Sequence, residues 1–282
     1  MRLLITGAAG MLGQDVRSAA QDAGHEPIAL ARAELDITDE AVVRAAIDAA
    51  RPDAVINCAA WTNVDAAETE ERAATAVNGD GAGHVARAAA ACGAWTVHVS
   101  SDYVFDGRAR APYLESSPTG PASAYGRSKL AGEHAVAAAA PHAHTIVRTS
   151  WLFGAGGPCF PATIRRLAGE RDQIKVVDDQ VGCPTFTGHL ARALIELAET
   201  RPPGIVHVAG GGACSWYEFA REIVAASALA CEVTPCTTEE FPRPAPRPAY
   251  SVLGTERGHE VPRLAGWREG LSDYLAVGVT SA

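Results

Sequence analysis

Short, largely apolar runs alternate along this chain with longer stretches whose apolar positions recur at helical spacing. Residues 3–5, Leu-Leu-Ile, run straight into a glycine-rich turn and read as a buried parallel strand. Residues 11–23 follow with helical spacing. The pattern then repeats: a strand over 26–30, a helix over 39–50 that opens on an acidic first turn, a strand over 53–57, a long helical stretch over 66–91, a strand over 95–99, a helix over 125–139 and a strand over 145–148. Such alternation predicts an α/β fold, a doubly wound, mostly parallel sheet covered on both faces. The rhythm loosens after Trp151. Helices are predicted over 161–170, 187–199, 215–228 and 267–276, with short strands near 174–178 and 204–208. We expect a main domain over 1–150 and a smaller, mainly substrate-binding C-terminal lobe over 151–282, some of whose segments return to the main sheet. The run from Pro242 to Pro248 reads as a stiff extended loop of the fold, with a proline ligand for a partner's aromatic groove as the alternative.

Composition narrows the function classes. A chain of 282 residues suffices for one large domain or for a main domain with a companion, and 48% hydrophobic residues exclude a disordered chain. The net charge of −9 argues against a nucleic-acid partner, which needs a basic stripe. It leaves room for an anionic substrate held by a few local Arg or Lys residues. The seven cysteines (Cys58, Cys92, Cys159, Cys183, Cys214, Cys231 and Cys236) are odd in number and form no C-x-x-C, as expected of reduced thiols in a cytoplasmic protein. Residues 1–6 are too short for a signal-peptide core, and no run of 18 apolar residues predicts a membrane span. His142 and His144 read as solvated loop residues rather than metal ligands.

Two motifs carry chemistry. The first is the turn Gly7-Ala8-Ala9-Gly10-Met11-Leu12-Gly13 between the first strand and first helix. Its spacing, G-x-x-G-x-x-G, suits close backbone approach of a dinucleotide pyrophosphate, with Gly7, Gly10, Met11, Leu12 and Gly13 as contacts; an ordinary strand–helix loop is the alternative. It makes the first domain Rossmann-like. The second strand ends Ile28-Ala29-Leu30-Ala31-Arg32, without the acid that would hold a ribose 2′-OH. Arg32 is placed to pair with a 2′-phosphate, so NADPH is expected ahead of NADH, unless Arg32 is simply a solvated loop residue. Asp36 and Ile37 are candidates to line the adenine. The second motif is Tyr125-Gly126-Arg127-Ser128-Lys129, with Ser101 upstream at the carboxyl end of the fourth strand. Tyr125 and Lys129 are four apart and share one helix face. A neighbouring ammonium favours phenolate, so Lys129 is expected to lower the Tyr125 pKa. Tyr125 would protonate a carbonyl oxygen while hydride reaches its carbon, Ser101 would hydrogen-bond that oxygen, and Lys129 would also hold the nicotinamide ribose.

With these residues the chain resembles the extended short-chain dehydrogenases/reductases, and within them the dTDP-4-dehydrorhamnose reductase family. The resemblance runs over nearly the whole chain, through the glycine turn, the string from Asn57 to Glu68, Val77-Asn78, Ser100-Ser101-Asp102-Tyr103-Val104-Phe105-Asp106-Gly107, the Tyr125–Lys129 motif, Arg148-Thr149-Ser150-Trp151, Asp179-Gln180-Val181-Gly182-Cys183-Pro184-Thr185 and Arg247-Pro248-Ala249-Tyr250-Ser251. It implies NADPH-dependent reduction of the C4 ketone of a dTDP-4-keto-6-deoxysugar by a cytoplasmic monomer or homodimer. The substrate it points to is dTDP-4-dehydro-L-rhamnose; another keto-sugar of the same type, or a non-catalytic NADP-binding regulatory subunit, are the alternatives. It further implies that Val64, Tyr103 and Trp151 shape the sugar pocket with Ser101 and Tyr125, and that Asn57, Ala59, Ala60 and Thr62 border cofactor or substrate. Asp179, Gln180 and Arg247 would lie toward the nucleotide, Arg247 as a pyrophosphate ligand or else as an exposed loop residue. Two positions depart from the family pattern. Ser101 stands where a threonine is usual, and Tyr250 where an asparagine is usual. Asp15 occupies the place of a glutamate that bridges a metal in some relatives, and no metal is expected here.

Overall fold

The computed structural model describes residues 1–280. In chain order its elements are β1 (Arg2–Thr6), α1 (Met11–Asp22), β2 (Glu26–Leu30), α2 (Glu40–Ala50), β3 (Ala54–Asn57), α3 (Val64–Ala67), α4 (Glu71–Thr75), a π-helical segment (Ala76–Gly81), α5 (Ala82–Ala91), β4 (Trp95–Ser101), α6 (Ala124–Ala139) and β5 (His144–Thr149). There follow β6 (Leu152–Phe153), α7 (Phe160–Glu170), β7 (Gln173–Val177), β8 (Val181–Gly182), β9 (Thr185–Phe186), α8 (Thr187–Thr200), β10 (Gly204–His207), β11 (Cys214–Ser215), α9 (Trp216–Ala226), β12 (Glu232–Cys236) and α10 (Trp267–Thr280).

Six parallel strands form the central sheet in the order β10-β5-β4-β3-β1-β2. Alternate side chains feed opposite faces, as the two-residue period of a strand requires. Leu3, Ile5, Ala54 and Ile56 join α1 and α8 on one side, around Val16, Leu190 and Leu194. Leu4 and Val55 join α2 and α5 on the other, around Val43, Ile47 and Val85. Both faces are dry, which is why these strands read as continuous apolar runs. Both β10 and α8 come from beyond Trp151, so the chain returns to the sheet after leaving it.

The second core lies around Phe153, Phe186, Phe219, Trp267 and Tyr274 and gathers α7, α9, α10 and the parallel pair β7–β12. The Pro242–Pro248 segment is an extended loop pinned to α3: Asp65 accepts from the Ala245 N–H at 3.2 Å and pairs with Arg243 at 3.6 Å and Arg247 at 2.9 Å.

Two local expectations need correcting. The stretch 66–91 is not one helix. It breaks after Ala67 and widens into the π-helical segment, where Asn78 turns inward. Asn78 accepts from the Trp61 N–H at 2.8 Å and donates to the Trp61 carbonyl at 3.1 Å and to Ser128 Oγ at 2.9 Å. A buried polar side chain with those partners offsets the irregular backbone. His144 is not solvated either. It opens β5, is buried, and its Nδ1 sits 2.6 Å from the Ala140 carbonyl oxygen. Among the described residues no helix is long and apolar enough to cross a membrane.

Candidate active site

The carboxyl ends of β1, β3, β4 and β5 open into a cavity of about 760 Å³. Ligands of open α/β sheets bind at this end, where the strand order reverses, here between β1 and β3. Gly7 has φ +65, and a Cβ there would stand 2.7 Å from the Ala59 nitrogen; a Cβ on Gly13 would run into the Gly7 carbonyl oxygen. Only glycine allows this three-way approach of turn, helix and neighbouring strand. Gly10 caps α1 without any side-chain hydrogen bond, so the first N–H groups of the helix face the cavity unclaimed by a side chain. Gly10, Met11, Leu12 and Gly13 all lie on the wall.

Arg32, Asp36 and Ile37 line the far end. The Arg32 side chain is 81% exposed and only loosely paired with Asp36, at 3.7 Å. Glu34, the acid nearest the end of β2, accepts from the Ala31 N–H at 2.9 Å. The cradle, the helix end and the exposed guanidinium together fit a phosphorylated dinucleotide.

The opposite wall holds the ionisable set. Ser123 caps α6 by accepting from the Gly126 N–H at 3.1 Å, which places Tyr125 in the first turn, above the end of β4. Ser101, Tyr125 and Lys129 all line the cavity. Tyr125 meets the edge of Tyr103 with ring centroids 5.3 Å apart. Lys129 is 2% exposed, and its Nζ donates to the Val99 carbonyl at 2.7 Å.

The electrostatics correct one expectation. Burial pushes the Tyr125 phenol up to about 12, the nearby Asp102 adds to the rise, and a hydrogen bond with Ser101 opposes it; Lys129 exerts no resolved pull on it. Burial in turn lowers Lys129 to about 8. The ammonium is turned to the Val99 carbonyl, and desolvation outweighs any attraction between the two side chains. Tyr125 is therefore held as the protonated phenol.

Val64, Tyr103 and Trp151 line the mouth with Ala59, Ala60 and Thr62. Trp151 has φ +47, a rare backbone region for a bulky residue. Its indole stacks on Trp216 with centroids 3.5 Å apart and planes 2° from parallel. Trp216 is also on the wall, and nothing in the local sequence points to it.

Four implied residues sit elsewhere. Asn57 lies beneath the wall: its Oδ1 accepts from Thr6 Oγ1 at 2.6 Å and from the Ala59 N–H at 3.2 Å, while its amide faces His98 Nδ1 at 3.1 Å. Arg247 is paired with Asp65 and donates to the Ala245 carbonyl at 3.0 Å, although its charge is felt at Tyr103. Asp179 and Gln180 both bind Thr238. Each of these side chains serves the loops that frame the cavity.

Comparison with known proteins identifies the family. The RmlD substrate binding domain matches residues 1–279. The chain belongs to that family. A dTDP-4-dehydrorhamnose reductase from Mycolicibacterium smegmatis is 46% identical over 99% of this chain and 87% of its own length. A dTDP-4-keto-6-deoxy-D-glucose reductase from Streptomyces niveus is 42% identical over 94% of this chain and 91% of its own. Among solved RmlD-type structures, the dTDP-4-dehydrorhamnose reductase of Bacillus anthracis in complex with NADP has a TM-score of 0.95 at 38% identity, over 98% of this chain and 99% of that one.

Proposed function

We propose that this protein is an NADPH-dependent oxidoreductase that reduces the C4 ketone of dTDP-4-dehydro-L-rhamnose to give dTDP-L-rhamnose. The observation that carries the reading is the convergence of Ser101, Tyr125 and Lys129 on one wall of a cavity whose other end is the glycine cradle and Arg32. The reductase of Mycolicibacterium smegmatis supports it at 46% identity along the chain, and the NADP bound to the Bacillus anthracis relative supports the cofactor.

When bound, NADPH supplies the hydride. The cradle residues and Arg32 would hold its phosphates, and Lys129 its ribose. Tyr125 gives its phenolic proton to the ketone oxygen as the carbonyl carbon is reduced. A phenol held protonated by burial suits the reductive direction, in which the enzyme must start as the acid. Ser101 hydrogen-bonds the same oxygen, and Val64, Tyr103 and Trp151 pack the deoxysugar. On this reading the lobe beyond Trp151, apart from α8 and β10, is the substrate lobe. Seven unpaired cysteines support a cytoplasmic setting, and the charge of −9 supports a protein without nucleic-acid partners.

A second reading, reduction of a different dTDP-4-keto-6-deoxysugar, is favoured by the likeness to the Streptomyces niveus reductase. NADPH oxidation against a panel of dTDP-4-keto sugars, with product stereochemistry read by NMR, separates the two. Oxidation with none of the panel would overturn both and leave a binding role.

A further inference from the structure

Ser101 has one proton to give, and Asp102 holds it. Ser101 Oγ donates to Asp102 Oδ1 at 2.9 Å and accepts from the Tyr103 N–H at 3.2 Å. The proposed reaction needs that same proton for the ketone oxygen. A hydroxyl donates once, and an ionised carboxylate only accepts. While Asp102 is charged, Ser101 is tied to it and presents only lone pairs to the substrate.

The surroundings of Asp102 disfavour that charged state. The residue is 2% exposed and lines the cavity, and its Oδ2 is buried without a hydrogen-bond partner among the described residues. Ser251 stands close enough to favour ionisation but does not complete a hydrogen bond to Oδ2. A half-satisfied buried carboxylate is costly, and taking up a proton relieves the cost. Burial accordingly pushes its pKa up to about 6, against the opposing influence of the nearby Ser251 hydroxyl and of hydrogen bonds from Ser101 and two backbone N–H groups. Once protonated, the carboxyl donates to Ser101 Oγ, which then accepts from Asp102 and the Tyr103 N–H and can turn its own hydrogen into the cavity, on the side where it also reaches Tyr125.

We propose that Asp102 is a positioning residue that decides whether Ser101 donates or accepts, so that only the protonated carboxyl lets Ser101 aim its hydrogen at the ketone oxygen. This rests on the Ser101–Tyr125–Lys129 reading above. No proton leaves the Asp102–Ser101 pair in turnover. The proton that ends on the product oxygen comes from Tyr125, and the electron pair that takes it comes from the carbonyl π bond as hydride adds to carbon.

The other titratable groups that feel the Asp102 charge are Tyr103, Tyr125 and Cys183. Burial holds all three neutral through the relevant range, with Cys183 raised to about 11, Tyr125 to about 12 and Tyr103 well above its usual value. Lys129, near 8, keeps its charge while Asp102 titrates. The Arg247–Asp65 ion pair bears on Tyr103 rather than on Asp102.

The test is kcat as a function of pH for the wild type and Asp102→Asn, with saturating NADPH and the accepted keto-sugar. The Asn amide donates to Ser101 at every pH. The wild-type kcat should fall about tenfold per pH unit above a break at or just above pH 6, and that limb should vanish in Asp102→Asn. Profiles of the same shape would overturn the proposal. Infrared difference spectra of the wild type without substrate give a readout independent of the variant's folding. A protonated-carboxyl C=O band should titrate near pH 6 and shift in Ser101→Ala; its absence would also overturn the proposal. The band with no turnover of any keto-sugar would reject the functional reading and keep the Asp102 assignment. Turnover with neither the limb nor the band would do the reverse.

Discussion

In the proposed reaction Tyr125 is the acid, and an apolar site serves a phenol in that role. Burial holds it protonated, with a pKa of about 12. Tyr125→Phe keeps the ring packed against Tyr103 and removes only the proton. Turnover should fall by roughly 10²–10⁴, the usual loss when a general acid is deleted, while NADPH affinity by fluorescence titration stays near wild type. Unchanged turnover in folded protein would show that the proton comes from elsewhere. Arg32 makes a different kind of contribution. Its side chain is 81% exposed and loosely held by Asp36, so it is free to fork onto a phosphate. Arg32→Ala should raise the KM for NADPH and leave that for NADH nearly unchanged. Equal effects on both cofactors would remove the 2′-phosphate role.

At the scale of elements, the site depends on a junction between β5 and α9. Trp151, just past β5, has a left-handed backbone that costs about 1–2 kcal/mol, and Trp216, the first residue of α9, stacks flat against it. The broad contact between the two indoles buries apolar surface on both and holds Trp151 in that conformation. The helix is also firmly started: Ser215 and Glu218 form a reciprocal cap, with bonds of 3.1 and 2.8 Å. Trp216→Ala should therefore leave α9 in place and release Trp151. We expect kcat/KM for the keto-sugar to drop by about tenfold, equivalent to about 1.4 kcal/mol, with loss of the coupled-indole signal in circular dichroism and little change in NADPH affinity. A matching loss of NADPH binding would make the pair a general core element rather than a wall of the sugar pocket.

Across the whole molecule, the site is maintained against its own stability. Lys129 is buried at the junction of α6 and β4, and its pKa is lowered from 10.5 to about 8. Below pH 8 it is charged in both folded and unfolded chains, and folding bears the full cost of burying the charge. Between about 8 and 10.5 only the unfolded chain holds the proton, so the cost shrinks as pH rises and disappears above 10.5. Lys129→Met should thus be more stable than the wild type at pH 7, by an amount that narrows toward pH 10 in denaturant unfolding, while turnover collapses. A Met variant that is less stable by the same margin at every pH would show that the hydrogen bond to the Val99 carbonyl outweighs desolvation.

Local pattern alone was enough for much of this protein. Of the five strands up to Thr149, β1 and β3 were the most legible because both of their faces are dry, which leaves a short uninterrupted apolar run. The glycine turn was legible because Gly7 and Gly13 sit where no side chain fits, and the shared face of Tyr125 and Lys129 because they are one helical turn apart. Features that bring remote segments together were not legible. Trp216 reaches Trp151 from a distant part of the chain, and Asp65 binds a loop at Ala245, 180 residues away. Asn78 breaks a helix that its neighbours would otherwise continue, because Trp61 and Ser128 offer it buried partners. The sign of the Tyr125 shift also depended on the tertiary structure. Spacing places an ammonium four residues away, but only packing determines how much water is excluded and that the ammonium turns to Val99 instead. Secondary structure and residue chemistry are local properties of the chain, whereas burial, stacking and proton affinity are properties of the space its distant parts enclose.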